Sequence, residues 1–274
     1  MEDSLTILKA IILGVVQGLT EFLPISSSGH LVLAQSILKI TEPPLFFDVM
    51  LHFGTLMAVV VFFWKDIWEI LSGIFGRDPN IGRSTSHYET KYSARRFALY
   101  IMIGTIPTVI IALILKKTIE DAFANPFLVS ITLIITGIIL FLSGRIGQRE
   151  RTLNIGSAFI IGIAQGIAAI PGISRSGTTI SAGLMLGIDG EKAARFSFLL
   201  SLPAILGAAI LEFKDVKSVD VSIIAVLLGV LVAFIVGYIS IKFLLGIVVR
   251  GHFSRFAYYC WAVGVLGIIW NLVK

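Results

Sequence analysis

The sequence is poor in charge and almost devoid of cysteine. Charged residues make up 14% of the 274 positions, and Cys260 is the single cysteine. One cysteine cannot form a disulfide within the chain, so no disulfide framework holds this fold. So little charge beside 56% hydrophobic residues excludes an ordinary soluble domain. The net charge of +5 gives no case for nucleic-acid binding, and we predict no nucleic-acid partner.

Long uncharged runs take the place of the missing charges. A helix that crosses a bilayer needs about 20 mostly apolar residues. Five runs are the clearest: Phe97–Leu115, Phe127–Ser143, Leu153–Ser174, Val221–Ile241 and Phe256–Val273. Two more are plausible spans, Leu45–Trp64, which contains Asp48, and the shorter Phe196–Leu211. We therefore predict an all-α polytopic membrane protein. The longest polar stretch, Lys65–Arg96, is predicted to be a loop.

Two stretches of the chain match without a gap, 148 positions apart. Residues 14–30 read GVVQGLTEFLPISSSGH, and residues 162–178 read GIAQGIAAIPGISRSGT. Weaker similarity continues beyond them, so we divide the single membrane domain into repeats of about 1–150 and 151–274. The apolar pieces 7–22 and 26–38, and 155–170 and 176–188, are broken at Pro or Gly. Because the later piece of each pair is too short to span a bilayer, we predict two re-entrant helix pairs.

Three fuller spans follow each re-entrant pair, which gives about six transmembrane helices. An odd number of spans inverts the second repeat relative to the first. The charges agree, since the loops placed on one side hold 13 Lys and Arg and the opposite loops and termini hold 7. The basic side is expected to be cytoplasmic. Inverted repeats with broken helices are also typical of transporters.

Arg175 is the most informative residue, because a guanidinium inside an apolar run is costly and usually marks a function. It lies at the start of a short helix, where free N–H groups favour an anion. Arginine binds phosphate with two parallel hydrogen bonds. The alternative is a structural ion pair with Glu21. The hydroxyl-rich cluster around Arg175 is predicted to bind phosphate through Ser174, Ser176, Thr178 and Thr179.

Glu21 is the matching acid of the first repeat. Gln17 precedes it by one helical turn, so both side-chain oxygens project from one face. Two such oxygens suit a hard divalent cation that bridges to phosphate. The sequence therefore predicts a metal site at Gln17 and Glu21.

The loop after Glu21 carries three serines and a histidine. Ser26 and Ser28 are predicted to bind phosphate, and Ser27 and His30 are the candidate nucleophiles beside the catalytic Glu21 and Arg175. His30 is slightly favoured because imidazole needs no separate base; attack by water stays open. Asp48 and His52 on the next span could support the site or simply pack. The common lipid-phosphate phosphatases place a second histidine six positions after the arginine. That position is Ser181 here, which argues against that family.

At these motifs the chain resembles the undecaprenyl-diphosphate phosphatases, the bacitracin-resistance family. The matching segments read QGLTEFLPISSSGH at 17–30, LHFGT at 51–55, PGISRSGTT at 171–179 and FSFLLSLP at 196–203. Position 17 is Glu in some members and Gln in others. Gln17 thus leaves Glu21 as the sole acid of the motif.

The resemblance implies hydrolysis of undecaprenyl diphosphate to undecaprenyl phosphate and phosphate, which recycles a lipid carrier for peptidoglycan synthesis and confers bacitracin resistance. It implies Mg²⁺ or Ca²⁺ as cofactor, and a site open to the outer face of the bacterial cytoplasmic membrane. The rival reading is a flippase or transporter of an anionic isoprenoid lipid. The sequence leaves the oligomeric state open, with a homodimer as one alternative.

Overall fold

A computed structural model describes residues 5–40, 45–75, 94–123, 125–146, 151–213 and 222–273 of the chain. Throughout these residues the secondary structure is helical, apart from one isolated bridge between Arg151 and Ile188. The α-helices are α1 Ile7–Phe22, α2 Ser27–Ile37, α3 Leu45–Phe62, α4 Trp64–Ile74, α5 Ala94–Ile114, α6 Lys116–Phe123, α7 Pro126–Ser143, α8 Ile155–Ile167, α9 Arg175–Met185, α10 Gly190–Phe213, α11 Ile223–Val249 and α12 Phe256–Val273. The predicted all-α class is confirmed.

Five of the described helices are long and apolar enough to cross a membrane, namely α5, α7, α10, α11 and the last helix with its preceding turn. A sixth span results if α3 and α4, which bend by 74° at their junction, are taken together. This agrees with the predicted multi-pass membrane protein of about six spans. Helices α1, α2, α8 and α9 are the four short pieces predicted on either side of the two breaks.

The prediction of a loop over Lys65–Arg96 is wrong at its beginning. Residues 64–74 form the amphipathic helix α4, which buries Asp66, Ile70 and Gly73 and exposes its tryptophans. Polar composition concealed the helix because apolar residues recur on only one of its faces. Residues 76–93, with the turn-rich part of that stretch, lie outside the described residues.

The two repeats interlock through their first helices. Helix α1 packs along α11 of the second repeat, and α8 packs along α5 of the first. A Cβ on Gly14 would lie 2.6 Å from the Gly229 carbonyl oxygen, and one on Gly162 would collide with the backbone of Gly104. Small residues at such crossings let helix backbones approach closely. The identical glycines of the repeat are therefore explained by packing.

Candidate active site

The first break in the chain lies between α1 and α2. Leu23 takes up an extended conformation (ψ 144°), as expected for a residue before proline, and this ends α1. Ser26 caps α2, and its Oγ accepts a hydrogen bond from Gly29 N at 3.3 Å. Its φ of +70° is unusual for a residue with a side chain. The break thus turns the chain within four residues and places Ser27 at the start of the short helix.

The second break lies between α8 and α9. Gly172 has φ +87°, a conformation that glycine adopts at low cost. Ser174 caps α9 by accepting from Gly177 N at 3.1 Å. Two threonines of α7 hold this loop: Thr132 Oγ1 donates to Pro171 O at 2.6 Å, and Thr136 Oγ1 donates to Gly172 O at 2.9 Å. These bonds fix the segment that begins α9, and Arg175 is its first residue.

The two breaks meet at Glu21. The Arg175 guanidinium donates from Nη2 to Glu21 Oε1, and Ser27 Oγ donates to Glu21 Oε2 at 2.5 Å. The side chain of Glu21 is 1% exposed, whereas that of Arg175 is 23% exposed. The acid of the first repeat and the arginine of the second are therefore in direct contact. Ser27 and Arg175 occupy equivalent positions of the repeat, and they bind the two oxygens of one carboxylate.

Gln17 extends the network one turn behind Glu21. Its Nε2 lies 3.1 Å from Glu21 Oε2 and 2.9 Å from Nδ1 of His52. His52 Nδ1 is itself 3.5 Å from Glu21 Oε2. His52 therefore supports the site from α3. Asp48, one turn earlier on the same helix, accepts hydrogen bonds from Gln35 Nε2 through both carboxylate oxygens.

The oxygen atoms around Glu21 suit a cation whose remaining ligands are phosphate oxygens. Within the described ranges, no group of three or more His, Cys, Asp or Glu side chains converges to hold a metal alone. Gln17 Oε1 is buried without a hydrogen-bond partner there, and it is a suitable hard ligand. The equivalent Gln165 Oε1 is equally unpaired, but the position corresponding to Glu21 is Ala169. Only the first repeat therefore combines a free amide oxygen with a carboxylate.

His30 faces away from the pair formed by Glu21 and Arg175. Its Nδ1 lies 2.8 Å from the Ser26 carbonyl oxygen, and its Nε2 lies 2.9 Å from the hydroxyl of Tyr259 on α12. The two rings also stack at 5.7 Å. A carbonyl can only accept, so neutral His30 carries its proton on Nδ1, and Nε2 accepts from the tyrosine. Both nitrogens of the predicted nucleophile are engaged.

The predicted phosphate-binding hydroxyls fall into two similar clusters. Ser26 Oγ lies 3.2 Å from Ser28 Oγ, and Ser174 Oγ lies 3.3 Å from Ser176 Oγ. Ser176 also donates to the carbonyl oxygen of Leu23 at 3.2 Å, which ties the second break to the first. Both clusters therefore lie beside the charged centre, one from each repeat.

The remaining two predicted hydroxyls lie further along α9. Thr179 Oγ1 donates to the carbonyl oxygen of Arg175 at 2.7 Å and pairs with Ser197 Oγ. Thr178 Oγ1 is buried and has no hydrogen-bond partner among the described residues. Neither threonine lines the cleft beside Arg175.

Sequence reasoning missed the residues that surround this centre from α7, α10 and α12. They are Thr132, Thr136, Ser197, Ser201 and Tyr259. None lies in either long motif, and serine or threonine in an apolar helix commonly bonds only to its own backbone. Two signals were available: the repeat, which identifies α10 as the partner of α3, and the family-like segment 196–203, which contains Ser197 and Ser201.

The geometry supplies the parts of a phosphoryl-transfer site. A hydroxyl is held against a buried carboxylate, and a fixed cation and two helix N-termini point to the same place. An arginine that only neutralised Glu21 would account for the ion pair. It would not account for the serine on the second carboxylate oxygen or for the clusters of hydroxyls on both sides.

Comparison with known proteins agrees over nearly the whole chain. The family model described as bacitracin resistance protein BacA matches residues 10–266. A relative from Methanosphaera stadtmanae is 44% identical, covering 98% of this chain and 99% of its own length. Others from Desulforapulum autotrophicum and Desulfosudis oleivorans are 45% and 46% identical, covering 97% and 94% of this chain and 98% and 96% of their own lengths. All three are named undecaprenyl-diphosphatase.

Proposed function

Because the chain belongs to the BacA family of bacitracin resistance proteins, we propose that it hydrolyses undecaprenyl diphosphate to undecaprenyl phosphate and phosphate. The observation that carries the proposal is the contact of Ser27 and Arg175 with the two oxygens of Glu21. It combines a nucleophile, a base and a phosphate-binding cation in a membrane protein, as a lipid diphosphate requires. The product is a lipid carrier of cell-wall synthesis. Its formation lowers the amount of undecaprenyl diphosphate in the membrane, which accounts for bacitracin resistance.

Ser27 is the nucleophile in this proposal. Its hydroxyl proton passes to Glu21 Oε2 while Oγ attacks the terminal phosphorus, and the bond from that phosphorus to the bridging oxygen breaks. Undecaprenyl phosphate leaves, and water then hydrolyses the phosphoserine. The sequence slightly favoured His30, but both of its ring nitrogens are engaged by Ser26 and Tyr259. His30 then shapes the loop that presents Ser27.

Arg175 binds the oxygens of the phosphate and stabilises the charge that develops on them. Lysine could not replace it, because an ammonium group lacks the planar fork. Glu21 alone would repel a diphosphate. The ion pair with Arg175 offsets that repulsion before substrate arrives.

A divalent cation, Mg²⁺ or Ca²⁺, completes the proposal. Glu21 and Gln17 Oε1 would hold it together with oxygens of the diphosphate, since Mg²⁺ is often bound by one or two carboxylates and substrate phosphates. Such an ion would neutralise part of the negative charge on the diphosphate. EDTA should then abolish turnover, and added Mg²⁺ or Ca²⁺ should restore it. Full activity in EDTA would reject this part of the proposal.

We place the protein in a cytoplasmic membrane with its site open to the outer face, as the distribution of Lys and Arg between the loops favours. Glu21, Ser27 and Arg175 all come from one chain, so the chemistry requires no second copy. A cysteine at position 28, introduced after replacing Cys260, should react with an impermeant thiol reagent added outside spheroplasts. Labelling that occurs only in inverted vesicles would show that the site opens to the cytoplasmic face instead.

Phosphate release by the purified protein in detergent tests the activity itself, because transport needs two compartments and hydrolysis does not. Ser27→Ala should lower kcat by at least about 10³-fold, whereas His30→Ala should remain measurably active. An acid-stable phosphoserine should be trapped from labelled substrate in wild type and be missing in Ser27→Ala. A phosphohistidine, with the sensitivities reversed, would instead assign the attack to His30.

A further inference from the structure

A narrow cleft opens beside Arg175 and Glu21. It is lined by Glu21, Phe22, Arg175, Ser176, Ser197, Phe198 and Ser201. Ser27 is not in its lining. The enclosed space is about 10 Å³, which is room for one water molecule. A phosphate therefore enters only when the side chains that line the cleft move apart.

Beside the Glu21 carboxylate, which can only accept, the other polar side chains of the cleft can donate to an anion. Arginine has five N–H donors, and the acceptor of Arg175 among the described residues is Glu21 Oε1. Ser201 donates to Phe198 O at 2.8 Å, and Ser197 shares a hydrogen bond with Thr179. A hydroxyl hydrogen can rotate from these partners toward a phosphate oxygen, which only accepts. Ser197 and Ser201 are one turn apart on α10, so both face the cleft.

The serine pair occurs in only one of the two repeats. At the spacing of 148 positions, Ser197 and Ser201 correspond to Val49 and Phe53 of α3. The hydroxyls are thus found on α10, which packs against the helix that begins with the arginine, and not on its counterpart α3. Ordinary packing in the bilayer does not require hydroxyls at these positions, since valine and phenylalanine pack at the equivalent ones.

Part of the lining of the cleft is apolar. Phe22 and Phe198 meet edge to face with ring centroids 5.7 Å apart, and each is 2% exposed. An aromatic wall beside a cationic subsite suits a phosphate that is joined to a hydrocarbon chain. A free phosphate has no hydrocarbon part that could pack against these rings.

We propose that Ser197 and Ser201 bind the phosphate that stays on the isoprenyl chain while Ser27 takes the terminal one. This inference rests on the proposed function. Ser27 and Arg175 hold opposite oxygens of Glu21, so a terminal phosphate at Ser27 places its neighbour on the Arg175 side, in the cleft. The two serines are therefore specificity residues for a diphosphate with a lipid attached.

The two products of hydrolysis can be used as inhibitors to test this subsite separately from the rest of the site. Farnesyl phosphate, used as a short product analogue, would occupy the cleft, whereas orthophosphate would occupy the position beside Ser27. We expect Ser197→Ala and Ser201→Ala each to raise the KM for farnesyl diphosphate and the inhibition constant of farnesyl phosphate about tenfold. The inhibition constant of orthophosphate and kcat should stay within about twofold of wild type. Ser201→Thr, which keeps the hydroxyl, should recover most of the affinity.

Ser130→Ala on α7 is the matched control. Ser130 is buried and donates to Pro126 O at 2.8 Å, but it does not line the cleft. A similar rise in the farnesyl phosphate constant for Ser130→Ala, or an equal rise for orthophosphate in the α10 variants, would overturn the subsite. If wild type fails to release phosphate from undecaprenyl diphosphate, the proposed function is wrong. Thermal stabilisation of wild type, but not of Ser201→Ala, by farnesyl phosphate would still support the subsite.

Discussion

The two breaks that form the site have the same sequence pattern but are held in different ways. Thr132 and Thr136 of α7 donate to the carbonyl oxygens of the second break at 2.6 and 2.9 Å. The long span α12 gives the first break a weaker contact, the Cys260 thiol at 3.5 Å from Pro24 O, because a thiol is a weak donor. The other donors to the first break, Ser176 and His30, come from the short helices α9 and α2. The long spans therefore hold the second break more firmly than the first.

The backbone shows the same difference. The second break makes its turn at Gly172, where a positive φ is cheap, whereas the first makes it at Ser26. A non-glycine residue in such a conformation costs about 1–3 kcal/mol and is often found at functional sites. The break before Arg175 is thus built on a relaxed loop, and the break before Ser27 is built on a strained one.

Removing the cation should have the largest effect. Arg175→Ala should lower kcat/KM by at least about 10³-fold, because it deletes the charged donor of the site, and Arg175→Lys should recover little. A structural role would give a different result. Arg175→Ala leaves Glu21 buried and unpaired, so Glu21→Gln added to it should restore thermal stability without restoring turnover. Appreciable activity in Arg175→Ala alone would show that Arg175 only neutralises the acid, since the double variant also lacks the proposed base.

Where the repeats are equivalent, matched substitutions should act alike. Gly14→Ala and Gly162→Ala both push a methyl group into the backbone of the opposite repeat. Each should lower stability by about 1–3 kcal/mol or reduce the folded yield. Thermal unfolding in detergent measures this, with Gly207→Ala as control because its added Cβ meets nothing within 4 Å. If Gly14→Ala were harmless, the interlocked packing of α1 on α11 would be wrong.

The sequence predicted the helices better than it predicted the contacts of the site. The bounds of α12 follow directly from the uncharged run Phe256–Val273, because an apolar span in lipid has to be helical. Those of α1 follow from the apolar piece that ends before Pro24. The motif also identified Glu21, Ser27 and Arg175. It could not reveal which way His30 turns, since Tyr259 lies 229 positions away and no local pattern records that contact.

The α7 and α10 side chains were missed for a related reason. A hydroxyl such as that of Thr136 has the same local signature whether it bonds to its own helix or to a loop of the other repeat. The helix α4 was missed because a polar stretch with one apolar face reads as a loop when only its composition is considered. Contacts between the repeats thus determine which partner such a hydroxyl bonds, and composition alone does not predict that partner.

The firm anchoring of the second break can be weakened selectively. Thr136→Val keeps the shape but removes the bonds to Gly172 O and Ser174 N, so α9 should shift and turnover should fall about tenfold or more. Thr105→Val is the control, because that hydroxyl donates to Ile101 O of its own helix. Cys260→Ala should reduce turnover less than Thr136→Val. The reverse order would mean that the first break, not the second, is the more tightly held.

The smallest effect should come from the two capping serines, and its sign should differ between the repeats. Ser26→Gly relieves the positive φ and loses only a few tenths of a kcal/mol of capping, so stability should stay level or rise by up to about 1 kcal/mol. Ser174→Gly has no strain to relieve, because its φ is −72°. It should cost about 0.5–1 kcal/mol in backbone entropy. Unfolding in detergent compares the two, and equal losses would mean that Ser26 carries no strain in the folded protein.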